Sequence, residues 1–423
     1  MKLGKPPLFL DYREFLVFAG VFLVIIGVRL GFYYQEYRAF IAKPFYYTYA
    51  DVLQEFPKES RSSYYKILKL QTQENLTLFL NAHDYDFKDK RVRIQIFPNK
   101  RITFAHYLGS FYVEGFVKER LSKPPNRTKQ SIQKAIEAQH THPILQEFYN
   151  AIFLATPLSK KFRYQVSTLG ISHLIALSGL HLSILSAVLF FVFWLLYHLL
   201  HRRYFPYRNA FVDIGLGVLI ALGVYTYFVD MPPSLLRSYV MLMVGWIALV
   251  LGFELLSFGF LAVVTLMLVA LFPKLIVSLA LWLSISGVFY IYLLSYHAQM
   301  IRPKALLFVL FPIAIYLFML PITHLVFDAT SLYQLSSPLS STLFTFFYPL
   351  SIALHLVGMG GLLDEYLLSF FKLGEAENYT IGLDVQSFVL YVTLSIASIW
   401  SRLSFYALVV VSIVYALSLY IPP

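Results

Sequence analysis

The residues best placed to do chemistry lie in one run: Gly170-Ile171-Ser172-His173-Leu174-Ile175-Ala176-Leu177-Ser178-Gly179-Leu180-His181-Leu182-Ser183, a polar cluster in otherwise apolar sequence. Polar groups inside a bilayer are expensive, so their presence there asks for a reason. On a helix, Ser178 and His181 are i,i+3 neighbours and can touch. His173 precedes His181 by eight residues and falls about 80° round the axis. Gly179 admits a close backbone neighbour, or breaks the helix and bares its amides. Three chemistries suit the pattern: a polar path between broken helices, nucleophilic catalysis by Ser178, and plain interhelical packing through satisfied hydrogen bonds.

A second polar feature is Asp230-Met231-Pro232-Pro233-Ser234-Leu235-Leu236-Arg237. Proline suits the first turn of a helix, so Pro233 opens an apolar segment with Arg237 one turn in. Arg237 is suited to holding a phosphate; the competing reading is an interfacial Arg that snorkels to water. The run His140-Thr141-His142-Pro143-Ile144-Leu145 starts like the HxHxDH metal motif of metallo-β-lactamase-type hydrolases but lacks its Asp and final His, at 144 and 145. Two linker histidines are the expectation there, with no metal and no cofactor. Ala176-Leu177-Ser178-Gly179 is faintly similar to the GxSG of rhomboid proteases, with Ala in place of the first Gly and no evident base helix.

These side chains need elements to position them. The chain has 423 residues, 58% hydrophobic and 13% charged, with a mean hydropathy of +0.65. Half the usual charge cannot cover a water-facing surface, which excludes a soluble enzyme or a disordered chain and points to a multi-spanning membrane protein. With no cysteine, disulfides, thiolate metal sites and Cys nucleophiles are excluded. No GxxxxGK[ST] phosphate loop is present, and the one Gly-Lys is Gly4-Lys5.

The charge is uneven. Between Gln35 and Leu145 there are 18 Lys/Arg against 11 Asp/Glu, a surplus of seven out of the total +11. Before this block, Phe15 to Leu30 is apolar behind Lys2, Lys5 and Arg13, which reads as an uncleaved signal-anchor helix. After it, apolar spans fall near 174–200, 212–229, 235–252, 255–272, 275–297, 303–326, 340–358, 383–400 and 404–422, about ten with the anchor. Pro206, Pro232–Pro233, Pro273, Pro303 and Pro338 separate them, and Pro312 and Pro321 predict a kink within one. Short-loop charge puts Arg202, Arg203, Arg208, Arg302 and Lys304 with both termini in the cytoplasm. Lys274 and Arg402 run against that rule.

Residues 45–120 alternate like strands: Val92, Ile94 and Ile96 share one face, Leu76, Leu78 and Leu80 another, and Phe111, Val113 and Val117 a third. Runs near Tyr46–Phe56 and Tyr64–Thr72 make about five strands. An OB-fold, a five-stranded Greek-key barrel, fits that count and size, and a small sandwich nearly as well. OB-folds bind single strands with basic grooves and aromatic platforms. The candidates are Lys66, Lys69, Arg91, Arg93, Lys118 and Arg120 with Tyr64, Tyr65, Phe79 and Tyr112; a solvated strand face is the competing reading.

Together these residues resemble the ComEC family of competence proteins, the single-stranded DNA channels of natural transformation. The run Gly170 to His181 is similar to that family's GlsHllaiSGlH signature, Pro233-x-x-x-Arg237-Ser238 to its P-x-x-x-R-A, and Leu283-Ser284 to its fqLSf element. The segment Gln334-Leu335-Ser336-Ser337-Pro338 has serines where the family often has Asn, which counts against a role for that loop.

The resemblance implies a polytopic α-helical membrane protein: a signal-anchor helix over 1–34, an extracytoplasmic OB-like domain over 35–145 and a competence membrane domain over 146–423. It implies translocation of single-stranded DNA across the cytoplasmic membrane, with no enzymatic step in the chain. The path would be shaped by His173, Ser178, Gly179, His181, Arg237 and Ser284, with Gly170 and Pro233 structural. Lys66, Arg91, Arg93, Lys118, Tyr64 and Tyr112 would meet DNA on the outer domain. Implied partners are an external DNA-binding protein and a cytoplasmic helicase or single-strand-binding protein; monomer and homodimer stay open. The metallo-β-lactamase-like domain of many members is not expected, so strand degradation would fall to another protein. A serine hydrolase using Ser178 and a small-solute transporter are the alternatives, though a transporter should show an inverted repeat and none is clear.

Overall fold

The computed structural model describes residues 11–60, 63–82, 87, 90–122, 127–204, 207–255, 257–298, 304–327 and 329–420. Of these, 57–60, 63, 64, 122, 199–204, 304, 305 and 308 are described by backbone alone. Lys2, Lys5, Pro206, Arg302 and Pro303 lie outside the described residues. The chain divides into two compact units: Asp11–Gln130 with Thr265–Leu279, and Ser131–Val264 with Ala280–Pro423.

The first unit begins with α1 (Tyr12–Ile41), whose 30 residues reach well beyond the roughly 20 a bilayer needs. Six strands follow: β1 (Tyr46–Ser60), β2 (Ser63–Thr72), β3 (Thr77–Ala82), β4 (Lys90–Phe97), β5 (Ser110–Tyr112) and β6 (Glu114–Ser122). They form one sheet in the order β5-β3-β2-β1-β4-β6. All pairings are antiparallel except β3 with β5. The expected fifth strand is thus two strands, divided at Val113, whose N–H donates to Phe79 O at 3.1 Å. The sheet's edge strands, β5 and β6, are consecutive in the chain.

Alternation sets the inner face. Leu68, Leu70, Leu78, Leu80, Val92, Ile94 and Ile96 are all fully buried, joined by Phe111 and Phe40. Burying a side chain of this size stabilises by about 1.5–3 kcal/mol, so a one-residue slip, which would turn each strand's apolar set outward, is strongly opposed. The short α2 (Phe104–Leu108) is started by Thr103, which accepts from the His106 N–H. The 3-10 turn Pro273–Val277 also belongs to this unit. Lys274 donates to Asn75 O at 2.7 Å, and Arg29 donates to Ala270 O and Leu271 O at 2.5 and 2.7 Å. Lys274, which runs against the charge rule, therefore has a local partner in a strand turn.

The second unit is helical: α3 (Arg127–Glu137), whose first turn belongs to the first unit, α4 (Pro143–Leu154), α5 (Lys160–Thr168), α6 (Ser172–Ile175), α7 (Gly179–Tyr204), α8 (Ala210–Phe228) and α9 (Pro233–Val250). There follow α10 (Phe258–Leu271), whose end belongs to the first unit, α11 (Leu279–His297), α12 (Lys304–His324) and α13 (Ser337–Leu356). Last come α14 (Asp364–Lys372), α15 (Val385–Ala397) and α16 (Arg402–Tyr420). Between α12 and α16, Ala329–Thr330 (β7) and Tyr379–Thr380 (β8) pair.

Among the described residues, seven helical stretches are long and apolar enough to span a membrane: those of α1, α7, α8, α9, α11, α16 and Leu332–Leu356. The protein is a polytopic membrane protein. The other three expected spans are shorter apolar helices, Phe258–Leu271, Val309–His324 and Val385–Ala397. Thirteen residues rise only about 20 Å, short of a 30 Å hydrocarbon core, so α15 falls below the length that α7 or α8 reaches. The helix of α12 continues through Pro312 and Pro321, and α13 through Pro349.

Packing in this unit uses small residues and hydroxyls, as expected where lipid removes the hydrophobic drive between helices. A Cβ at Gly215 would collide with the Trp246 indole, and one at Gly223 would sit 2.7 Å from the Tyr239 hydroxyl. Tyr391 donates to Phe318 O and meets Ser412 Oγ, each at 2.9 Å, while Tyr290 meets Ser395 at 3.0 Å. These contacts tie α11, α12, α15 and α16 together.

Candidate functional site: a broken helix with unsatisfied donors

The run from Gly170 to His181 folds as a broken helix. Gly170 takes φ +69°, the left-handed region that favours glycine, and ends the turn after α5. A Cβ there would lie 3.1 Å from Gln334 Cα, so the position also needs glycine for close approach. Helix α6 lasts four residues: Leu174 and Ile175 are buried while Ser172 and His173 stay exposed. Ala176, Leu177 and Ser178 are non-helical, and α7 starts at Gly179.

Ser178 and His181 meet. The Ser178 backbone N–H and the Ser178 hydroxyl both approach His181 Nδ1 at 3.3 Å. The N–H can only donate, so Nδ1 is the acceptor and the ring proton sits on Nε2. His181 is 1% exposed, its ring edge-on to Phe344 and Tyr348 of α13 with centroids 5.0 and 4.9 Å away. Its Nε2 is buried with no hydrogen-bond partner among the described residues. A buried donor without an acceptor costs about 1–3 kcal/mol, which marks a place for a ligand or water.

Helix α9 packs on the break. Ser234 Oγ donates to Leu177 O at 2.7 Å, and Ser238 Oγ lies 3.2 Å from where a Cβ of Gly179 would stand. Pro233 occupies the first turn, as its type suits. Between these serines, Arg237 is 6% exposed, its Nε is unbonded, and no carboxylate pairs with it among the described residues. Burial in protein contradicts a snorkelling arginine. A desolvated, unpaired guanidinium is costly unless an anion completes it.

His173 donates from Nε2 to Ser341 Oγ of α13 at 3.0 Å, since that hydroxyl itself donates to Ser337 O at 2.8 Å. The structure therefore gathers Gly170, Ser178, Gly179, His181, Pro233 and Arg237 round one break, with His173 held to α13. Ser284 lies half-buried in α11 and makes no side-chain hydrogen bond among the described residues. The geometry offers donors to an anion. It does not set up a triad, because no carboxylate orients His181 among the described residues.

Sequence reasoning discounted the Gln334–Pro338 segment, yet it braces the break. Gln334 donates to Ser167 O and Ala329 O at 3.3 and 3.0 Å, and Ser337 Oγ donates to Gly170 O at 3.0 Å. It also read His140 and His142 as linker residues. His142 caps α4, accepting from the Ile144 N–H, but His140 is 4% exposed and bonded at both ring nitrogens. Its partners Asp364 and His355 stand more than 200 residues away, so no local pattern could reveal them.

On the sheet, the basic candidates already have partners. Lys66 pairs with Glu55 at 2.9 Å, Arg93 with Glu119 at 2.9 Å and Arg91 with Asp51 at 3.8 Å. Arg93 also lies over the Tyr47 and Tyr49 rings, and Lys118 over Phe116. Tyr112 is 63% exposed and stacks on Phe79 at 4.8 Å. The register sets Lys69 opposite Phe79 and Phe79 opposite Tyr112, a row across three strands. Tyr64 lies on β2 and is described by backbone alone.

Beneath this face, Glu74 accepts from Thr48 and Tyr46 at 2.8 and 2.9 Å. Burial pushes the Glu74 carboxyl up, but hydrogen bonds led by that of Thr48 outweigh it and hold the group below its ordinary value. Burial, helped by Glu74, pushes the Tyr46 phenol up to about 12.

Comparison with known proteins gives one match. Residues 156–420, well over half of the chain, match the family model described as Competence protein. No curated protein and no solved structure matches.

Proposed function

From the premise that this chain belongs to the Competence protein family, we propose that it carries single-stranded DNA across the cytoplasmic membrane, past the break between α6 and α7. The observation that carries this reading is the pair of buried, unsatisfied donors, His181 Nε2 and Arg237 Nε, on elements that pack together at a helix break. A phosphodiester supplies what they lack: an anionic acceptor at every nucleotide, independent of sequence. The first turn of α7 adds helix N-terminal amides, a further anion-favouring feature. Gly179, Ser178 and His173 contribute small or polar surface rather than a row of lysines, which suits passage without a deep trap.

The β1–β6 segment is proposed as an OB-like barrel outside the cell, guiding one strand inward. Its consecutive edge strands support closure, as does Gly115 of β6, where a Cβ would lie 2.9 Å from Leu80 of β3. The row Lys69, Phe79 and Tyr112 supports base stacking. The basic residues Arg202, Arg203 and Arg208, close together in one short loop of the sequence, support cytoplasmic termini under the positive-inside rule. Partners on either side would supply the pulling force: an external DNA-binding protein and a cytoplasmic helicase or single-strand-binding protein. The test follows labelled DNA in cells lacking the protein. Loss of cytoplasmic single-stranded DNA, restored by the wild-type chain, is expected; normal uptake without it would sink the reading.

A further inference from the structure

The buried His140 sits in the helical unit at a three-residue relay that the DNA path does not use. Its Nδ1 lies 2.9 and 3.1 Å from the two carboxylate oxygens of Asp364, at the start of α14. Its Nε2 lies 2.9 Å from His355 Nε2, at the end of α13. His355 Nδ1 in turn lies 2.7 Å from Ser351 O. His140 stacks flat on Tyr149 of α4, with centroids 4.3 Å apart.

Proton counting constrains this chain of contacts. Ser351 O is a carbonyl and can only accept, so His355 carries its proton on Nδ1. An ionised Asp364 can only accept, so His140 carries a proton on Nδ1. Both Nε2 atoms would then present lone pairs to each other at hydrogen-bond distance, which is repulsive. One added proton between them turns that repulsion into a hydrogen bond and makes His140 an imidazolium paired with Asp364.

We propose that His140, His355 and Asp364 form a proton-binding site in which one proton bridges the two imidazole Nε2 atoms and Asp364 balances its charge. The ligand is a proton, and the site is built for it. Gln139 holds the backbone around it, donating to His355 O at 3.2 Å and accepting from the Gly360 N–H at 2.8 Å. A Cβ at Gly360 would lie 2.7 Å from His355 Nε2, so the backbone there closes tightly on the ring. Of the neighbouring titratable groups, Glu137 of α3, three residues before His140, has its carboxylate engaged by Gln133 and Asn150, and Tyr149 stacks on the His140 ring. Burial and the Asp364 charge push the Tyr149 phenol up, so it stays protonated and does not compete for the role of base.

The site has a physical link to the break. Helix α13 carries His355 at one end, and Ser341, Phe344 and Tyr348 against His173 and His181 further back. Removing the bridging proton restores the repulsion between His140 and His355 at one end of the helix whose other turns pack on the path. This consequence concerns the geometry of α13 and holds whether or not DNA is the cargo.

Nitrogen-15 NMR of the full chain in detergent, with all histidines labelled and assigned by His→Gln variants, reads this directly. Expected is a His140 ring protonated at both nitrogens and a His355 ring protonated at Nδ1 alone. Asp364→Asn should return His140 to a single N–H and shift the His181 resonance. His355→Gln, which keeps an acceptor for His140 Nε2, should leave His140 doubly protonated. A singly protonated His140 in the wild-type chain overturns the proposal. So does a stoichiometric divalent metal in the purified protein whose chelation changes both Nε2 signals, since the bridge would then be a metal. An unmoved His181 in Asp364→Asn, with His140 changed, overturns the α13 linkage.

Discussion

The two units handle charge in opposite ways. On the sheet, where basic residues are many, nearly every candidate cation has a neighbour: Lys66 a carboxylate, Arg93 a carboxylate and two rings, Lys118 a ring. In the helical unit basic residues are few, yet Arg237 is buried with no carboxylate among the described residues. Arg208 shows what a satisfied arginine looks like in the same unit, donating to both Asp213 oxygens at 2.7 Å. The difference teaches that surplus charge and binding capacity are separate quantities. An exposed ion pair is worth about 0–1 kcal/mol and leaves its cation only partly committed, whereas a buried donor left open costs more and favours an incoming acceptor.

The sharpest break of this comparison is Arg237→Ala. Charge-assisted hydrogen bonds are worth about 1.5–3 kcal/mol each, so DNA uptake should fall by roughly 10- to 100-fold per lost contact while the protein still reaches the membrane. Arg237→Lys keeps the charge and loses the planar fork, so partial uptake is expected. Arg93→Ala, by contrast, should leave uptake within about twofold, because Arg93 is already engaged. Equal losses in Arg237→Ala and Arg93→Ala would erase the distinction between the units.

The next effect is on stability. Gly170→Ala forces a side chain into φ +69° and against Gln334, which should cost about 1–2 kcal/mol from the backbone alone, read as a lower thermal midpoint in detergent. Gly245→Ala in α9 meets nothing within 4 Å and should be neutral or slightly stabilising. On the sheet, Tyr112→Ala should weaken single-stranded DNA binding by the full chain by about 1–3 kcal/mol, the worth of one stacked base. Lys66→Ala should instead lower thermal stability and leave affinity unchanged, because Lys66 serves Glu55.

The smallest effect is a pH dependence. Glu74 is held below its ordinary value, so its stabilisation is present above the ordinary carboxylate range and is lost as pH falls through the lowered folded value. Glu74→Gln should flatten that acid limb of the thermal midpoint.

Much of this was legible in the sequence. Period-two alternation located the strands of the six-stranded sheet, though it read β5 and β6 as one and gave no sign of the short β7 and β8; Val92, Ile94 and Ile96 have only one face to bury. The apolar runs located every long helix. The spacing of Ser178 and His181 foretold their contact. What stayed hidden was set by distant partners. No local signal distinguishes a paired Arg93 from an open Arg237, because the difference lies in Glu119 on another strand. His140 looked like a linker residue because His355 and Asp364 are brought to it only by the fold. The Gln334–Pro338 segment looked dispensable by residue type, though its backbone and hydroxyls brace Gly170. Helix α15 looked long enough because the apolar run extends past the residues that stay helical.

The central claim is that single-stranded DNA passes the α6–α7 break, and site-specific photocrosslinking during uptake tests it most directly. A photoreactive residue at Ala176, exposed within the break, should capture labelled single-stranded DNA in transit, while one at Phe191, exposed on α7, should not. Efficient uptake with no adduct at 176, or with equal adducts at 176 and 191, would contradict the account.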